Sequence, residues 1–329
     1  KILFPISIVY DLVTTLRNFF FDKGILKSKA YNIPIIAVGN LSVGGTGKSP
    51  MIEYLIGLLK SEGQLAVLSR GYRRKTNGFV LADKESTADD IGDEPMQFHS
   101  KFKDIAVAVD GDRQNGILNL QKLIRPDIVL LDDAFQHRKV TAGFYILLTK
   151  YDDLFVDDYL LPSGNLRESK RGAKRADVII VTKCPQDISD LKQMEIIKKL
   201  NVKQDVYFTS IGYSNEIKGV KNYNVNLLKT TKFTLVTGIA NPKPLVNYLK
   251  KKELNFEHLI YKDHHNFTDK EINILSKKRL IITTEKDYMR LKNRLPNVSF
   301  LPIITEFVSK KLVFDELILS YIKNKRSRK

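Results

Sequence analysis

The stretch Ile35-Ile36-Ala37-Val38-Gly39-Asn40-Leu41-Ser42-Val43-Gly44-Gly45-Thr46-Gly47-Lys48-Ser49 reads as an apolar strand running into a glycine-rich loop. The next residues, Pro50-Met51-Ile52-Glu53-Tyr54-Leu55-Ile56, continue it as a helix. In such a strand–loop–helix, glycines let successive backbone N–H groups turn toward one anion, and the helix N-terminus adds its partial positive charge. Against the spacing G-x-x-x-x-G-K-[ST], Ser42 holds the first glycine position, which is admissible at negative φ with Gly44 and Gly45 close by. The pattern predicts a phosphate-binding loop. Gly44, Gly45, Thr46, Gly47, Lys48 and Ser49 would grip ATP, with Lys48 on the β- and γ-phosphates and Ser49 on Mg²⁺.

Further apolar runs at 65–68, 105–109, 128–131, 144–148 and 178–181 are separated by helix-length segments. Near-continuous apolar strands are what a parallel sheet covered on both faces requires. The expected fold is therefore α/β: a P-loop NTPase-like, doubly wound parallel sheet with a smaller C-terminal α/β domain and an N-terminal amphipathic helix. The expected boundaries are 1–30 for the helix, 31–205 for the kinase-like domain, 206–230 for a polar linker and 231–329 for the second domain.

Ligands in such sheets sit past the carboxyl ends of the strands, so those residues carry the chemistry. Asp132 and Asp133 follow the 128–131 run and supply carboxylates for Mg²⁺, with Gln136 and His137 just beyond. A strand-end Asp that only caps a helix is the plain alternative. Ser69-Arg70-Gly71-Tyr72-Arg73-Arg74 brings cations to the next strand end. Asp93, in Gly92-Asp93-Glu94-Pro95, is either a working carboxylate or an N-cap. Arg113 either neutralises phosphate charge or sits in a surface ion pair.

One cysteine, Cys184, rules out an internal disulfide, and five scattered or adjacent histidines show no zinc-ligand spacing. The balance of 54 Lys+Arg against 37 Asp+Glu gives a formal charge of +17, a surface that attracts polyanions. At the N-terminus, helical spacing aligns Ile6, Val9, Val13, Leu16 and Phe20, widened by Ile8, Leu12 and Phe19, with Lys23, Lys27 and Lys29 following. Asp11 and Arg17 interrupt the run, so it does not read as a spanning helix. The pattern fits both a helix lying in a membrane interface and a helix packed on its own domain.

GNLSVGGTGKSP at Gly39–Pro50, LSRGYRRK at Leu68–Lys75, GDEP at Gly92–Pro95 and LDDAFQHR at Leu131–Arg138 run in one order with LPSGNLRES at Leu161–Ser169, DHHNF at Asp263–Phe267 and TTEKD at Thr283–Asp287. This ordered set resembles the tetraacyldisaccharide 4'-kinase family, the lipid A 4'-kinases. The resemblance implies transfer of the ATP γ-phosphate to the 4'-hydroxyl of a glycolipid disaccharide 1-phosphate. It further implies work at the cytoplasmic face of the bacterial inner membrane; the positive charge suits anionic lipid as a surface partner, and a monomer without nucleic acid is expected. By matched motif it implies Asp93 as catalytic base with His264 as its partner, His265 being the adjacent alternative. Asp132, Asp133 and Ser49 would form the metal site, Gln136 and His137 would lie beside it, and Arg113 and Glu168 fall on active-site positions. Many members read DDGLQH where this chain has Asp132-Asp133-Ala134-Phe135-Gln136-His137, so Ala134 alters the loop geometry expected there.

Two rival readings remain at this level. Thr182-Lys183-Cys184-Pro185 is similar to a guanine-reading loop of a GTPase or metallochaperone-like NTPase, but Pro185 stands where that loop needs Asp. A nucleic-acid-stimulated ATPase would suit the charge, yet no aromatic or basic recognition module is visible.

Overall fold

The protein is described by a computed structural model over residues 3–263 and 265–327. In chain order the elements begin with α1 (Phe4–Asp22), β1 (Ile35–Asn40), α2 (Lys48–Leu59), β2 (Leu65–Ser69), β3 (Val80–Leu81), α3 (Ala88–Ile91) and α4 (Asp93–Lys101). They continue with β4 (Ala106–Val109), α5 (Arg113–Leu123), β5 (Ile128–Asp132), β6 (Phe144–Lys150), β7 (Val178–Cys184), α6 (Asp190–Leu200) and β8 (Asp205–Tyr213). Then follow β9 (Glu216–Gly219), β10 (Tyr223–Asn224), β11 (Phe233–Thr237), α7 (Lys243–Lys251), β12 (Phe256–Ile260) and α8 (Asp269–Ser276). The last are β13 (Ile281–Thr283), α9 (Glu285–Leu291), β14 (Val298–Phe300), β15 (Ile303–Phe307) and α10 (Lys311–Arg326).

The first compact unit comprises Lys1–Ser210 and Thr305–Lys329. Its nine-stranded sheet has the order β15-β8-β7-β6-β1-β5-β2-β4-β3. From β8 to β4 every neighbouring pair is parallel, and β3 closes that edge antiparallel to β4. The loop-bearing strand β1 is central, between β5 and β6. Successive residues of β1 go to opposite faces. Ile36 and Val38 join Met51, Leu55, Phe314 and Ile318 from α2 and α10, whereas Ile35 and Ala37 pack with Ile117 and Leu120 of α5. Both faces are thus covered, and the apolar runs are the consequence.

The expected linker is not a linker. Residues 205–213 form β8 of the large sheet, and β9, β10 and a 3-10 turn at Val225–Thr230 follow. Val206, Tyr207 and Phe208 are consecutive and all buried, a short two-faced strand set in an Asn- and Lys-rich stretch. The C-terminal boundary also shifts, because the second unit is Ile211–Ile304. Helix α10 returns to the first unit, where Phe314, Ile318 and Ile322 complete the core over α2. The Tyr321 hydroxyl there accepts from the Ile35 N–H at 3.1 Å and donates to the Ile35 carbonyl at 3.0 Å.

Helix α1 is docked by its polar face. Ser7 bonds the Leu160 carbonyl at 3.1 Å and Tyr10 the Arg167 carbonyl at 2.9 Å. Its apolar stripe points outward: Ile8, Val9, Leu12 and Val13 are 58%, 61%, 67% and 60% exposed. This is the inverse of a core helix: α1 packs on its own domain through polar contacts and leaves its apolar stripe uncovered. Among the described residues no helix is long and apolar enough to cross a membrane.

The second unit holds a six-stranded sheet, order β10-β9-β14-β13-β11-β12, with β12, β11, β13 and β14 parallel. Its TTEKD segment is a structural lock. Asp287 is fully buried and accepts from the Gly238 N–H at 2.9 Å and the Thr284 hydroxyl at 2.7 Å. The carboxylate thereby fixes the turn after β11 to the start of α9.

Candidate active site

The loop between β1 and α2 has the backbone that its glycines predict. Gly44 and Gly47 lie at φ +100° and +89°, while Ser42 lies outside the left-handed region, as a serine at that position requires. The loop is braced from β7. The Thr182 hydroxyl bonds the Thr46 carbonyl at 2.8 Å, and Lys183 Nζ donates to the Gly45 carbonyl at 2.6 Å. Asn40, at the end of β1, donates Nδ2–H to the Ser42 carbonyl at 2.5 Å and accepts from Lys48 Nζ at 3.3 Å. Lys48 also faces Asp133 Oδ1 at 3.6 Å.

The neighbouring strand end is acidic and dry. Asp132 is 1% exposed, with Oδ2 accepting from the Ser69 hydroxyl at 3.0 Å. Its Oδ1 is buried without a protein partner. Burial first, then the nearby charges of Glu94 and Asp133, push its pKa well above the usual carboxylate range. A buried carboxylate oxygen that no protein donor satisfies is what a divalent cation would satisfy, so Asp132 fits Mg²⁺. The Ser49 hydroxyl is close to the same charges, donating to Glu94 Oε1 at 3.0 Å.

Asp133 adopts φ +46° and is held by Arg167 Nη1 at 3.0 and 3.1 Å. The left-handed residue of this turn is therefore Asp133, and Ala134 needs no unusual angle. The turn crosses close above β1, where a Cβ on Gly39 would lie 2.6 Å from Phe135 Cβ. Glycine at 39 is what admits the backbone and Cβ of residue 135 this close to β1.

Asp93 is exposed at the first position of α4. The cap residue is Gly92, and no side chain caps this helix, so the N-cap reading of Asp93 is not realised. His137 is held neutral, its pKa pushed down to about 4 by burial and by Arg113.

Three expected site residues are engaged by protein groups. Arg113 is 2% exposed and donates to the Asp110 carbonyl at 2.7 Å and the Asp132 carbonyl at 3.3 Å. It therefore ties two strand ends together. Glu168 is 3% exposed, its oxygens bonded by Arg175 at 2.8 and 2.9 Å, by Gln136 at 3.0 Å and by Asn18 at 2.8 Å. Gln136 joins that carboxylate to the Asn40 carbonyl at 2.8 Å. These side chains meet protein partners, because strand-end carbonyls and a buried carboxylate need donors.

In the second unit, His264 lies outside the described residues. His265 is committed elsewhere: its Nε2 meets both Glu271 oxygens at 3.0 Å, and its ring stacks on Tyr261 at 4.8 Å. Ser69, Arg167, Thr182 and Lys183 were not among the expected site residues. Each lies at a strand end or in a quoted motif, which was the available signal, but only the fold shows what each side chain touches.

Residues 1–323 match the family described as Tetraacyldisaccharide-1-P 4'-kinase. The chain is 53% identical to the tetraacyldisaccharide 4'-kinase of Flavobacterium johnsoniae, covering 98% of this chain and 97% of that one. It is 44% identical to the protein of the same name from Bacteroides thetaiotaomicron, covering 98% and 93%. Among solved structures it is similar to LpxK from Aquifex aeolicus in complex with ATP, at 28% identity and a TM-score of 0.81, covering 97% of this chain and 98% of that one.

Proposed function

The chain belongs to the tetraacyldisaccharide-1-P 4'-kinase family, and from that premise we propose how its residues divide the work. The reaction is transfer of the γ-phosphoryl group of ATP to the 4'-hydroxyl of a tetraacyldisaccharide 1-phosphate, a step of lipid A synthesis. A bond forms from the sugar oxygen to the γ-phosphorus, the bond to the ADP oxygen breaks, and the hydroxyl proton leaves to a base.

The observation that carries the site assignment is the contact of Ser49 with Glu94 at 3.0 Å. It brings the end of the phosphate loop to the residue beside Asp93, whose carboxylate is exposed and uncapped. The loop amides and Lys48 bind the triphosphate tail, and Asp93 accepts the sugar proton. Ser49 and Asp132 hold Mg²⁺, with Asp133, oriented by Lys48 and Arg167, beside them. When bound, the ion offsets the negative charge of the phosphates and of the buried carboxylate. Arg113 acts indirectly, holding the Asp132 strand end in place. His137, neutral, adds no charge near the phosphates.

The outward apolar stripe of α1, with exposed Lys23, Lys27 and Lys29, supports docking of a monomer on anionic lipid at the cytoplasmic face of the inner membrane. The test is transfer of radiolabelled phosphate from ATP to detergent-dispersed disaccharide lipid. Lys48→Ala should lose product and nucleotide affinity together. Asp93→Ala should lose about a hundredfold or more in turnover with nucleotide affinity kept. Near-normal turnover of Asp93→Ala refutes the base assignment.

A further inference from the structure

The polar face of α1 does more than fasten the helix. Asn18 Nδ2 donates to Glu168 Oε2 at 2.8 Å, and Gln136 Nε2 donates to Glu168 Oε1 at 3.0 Å. The second hydrogen of that Gln136 amide goes to the Asn40 carbonyl at 2.8 Å, while the Asn40 side chain accepts from Lys48 Nζ at 3.3 Å. Arg17 reaches the Gln136 carbonyl at 3.0 Å, so α1 grips this path at two points. The path is stiff at its hub, because Glu168 is 3% exposed and Arg175 clamps both its oxygens while lying 4.7 Å over the Phe135 ring.

Asn18 is held there at a cost. Its Oδ1 is buried with no hydrogen-bond partner, and turning the amide over would set that oxygen against the Glu168 carboxylate. A half-satisfied buried amide is a poor fastener for a surface helix, but a directional link to a carboxylate.

We propose that Asn18 and Glu168 are positioning residues for phosphoryl transfer, linking the outward-facing helix α1 to the phosphate-loop lysine through Gln136 and Asn40. Helix α1 is then part of the catalytic frame and not a detachable anchor. The proposal rests on the kinase reading for its reaction, though its geometry does not.

The test uses the full chain and Asn18→Ala, with Asn18→Gln as the variant that keeps an amide donor. On detergent-dispersed disaccharide lipid, Asn18→Ala should lower kcat by about tenfold or more, with KM for ATP changed by less than about twofold. Asn18→Gln should recover much of the loss. Sedimentation with phosphatidylethanolamine–phosphatidylglycerol vesicles should be unchanged in both, since the apolar face is intact. Amide hydrogen exchange across residues 42–49 should rise in Asn18→Ala whatever the acceptor. Absence of turnover by the unaltered chain would sink the kinase reading and leave the exchange result to decide this one. Unchanged exchange across 42–49, a normal kcat in Asn18→Ala, or a defect found wholly in vesicle binding would overturn the proposal.

Discussion

The hydroxyl of Ser49 donates to Glu94 Oε1 across 3.0 Å, tethering the end of the phosphate loop to the carboxylate that follows Asp93. Glu94 in turn crowds buried Asp132, whose Oδ1 has no protein partner. Replacing Asp132 by Asn removes a poorly solvated charge, so the metal-free variant should melt above the parent. Its turnover should fall by about a hundredfold or more, and Mg²⁺ should no longer raise its Tm. Calorimetry with and without Mg²⁺ checks both halves, and a lower metal-free Tm would refute the crowding.

Arg113 distinguishes a frame role from a phosphate role. Arg113→Ala leaves the Asp110 and Asp132 carbonyls without that donor and should cost roughly 2–4 kcal/mol in urea unfolding. Arg113→Lys, keeping charge but not the fork, should be destabilised less and bind ATP nearly normally. A variant of full stability that has lost ATP affinity would return the guanidinium to the phosphates.

Gly39→Ala tests the close crossing of the metal-site turn over β1. Its new Cβ would meet Phe135 Cβ at 2.6 Å and Phe135 N at 2.9 Å, and backbone cannot swing aside. A loss of about 1–3 kcal/mol is expected in denaturant titration, with weakened Mg²⁺ dependence as Asp133 is displaced.

Acid stability of the second unit should depend on Glu271. Its pKa is drawn from 4.5 down to about 2, first by the Thr268 N–H and then by His265. In that window the folded state binds fewer protons than the unfolded state, so this stabilisation is present above 4.5 and lost as pH falls toward 2. Melting curves of the parent should steepen their decline across that range, and Glu271→Gln should show a shallower one. Parallel curves would rule out the contribution.

Leu12 and Val13 are 67% and 60% exposed on the outer face of α1, so Leu12→Ser with Val13→Ser should leave Tm unchanged. Partition onto anionic vesicles should drop by roughly tenfold or more, since burial of apolar side chains in lipid drives it. Undiminished sedimentation with vesicles would count against the interfacial role.

Much of this protein is local chemistry and was readable residue by residue. A strand, a glycine turn and a helix beginning at Lys48 need only near neighbours to form, and the apolar runs announce a sheet covered on both faces. Asp132 and Asp133 follow from position alone, because ligands collect where parallel strands end. The boundary at 206 was misread for an equally local reason: the buried run Val206-Tyr207-Phe208 is short and mixed with polar neighbours, a faint signal among Asn and Lys.

Other properties depend on partners far away in the chain, and only the tertiary structure decided them. Arg113 became a tie between strand ends because Asp132, 19 positions later, brings its carbonyl within 3.3 Å of the guanidinium. Glu168 became a hub because Asn18, 150 positions earlier, and Gln136 converge on its buried carboxylate. Even the helix after residue 310 was assigned to the first unit by what it covers. Sequence by itself determined which groups could meet a phosphate. Which of them face solvent, and which spend their charge holding the frame, depended on the burial that packing imposed.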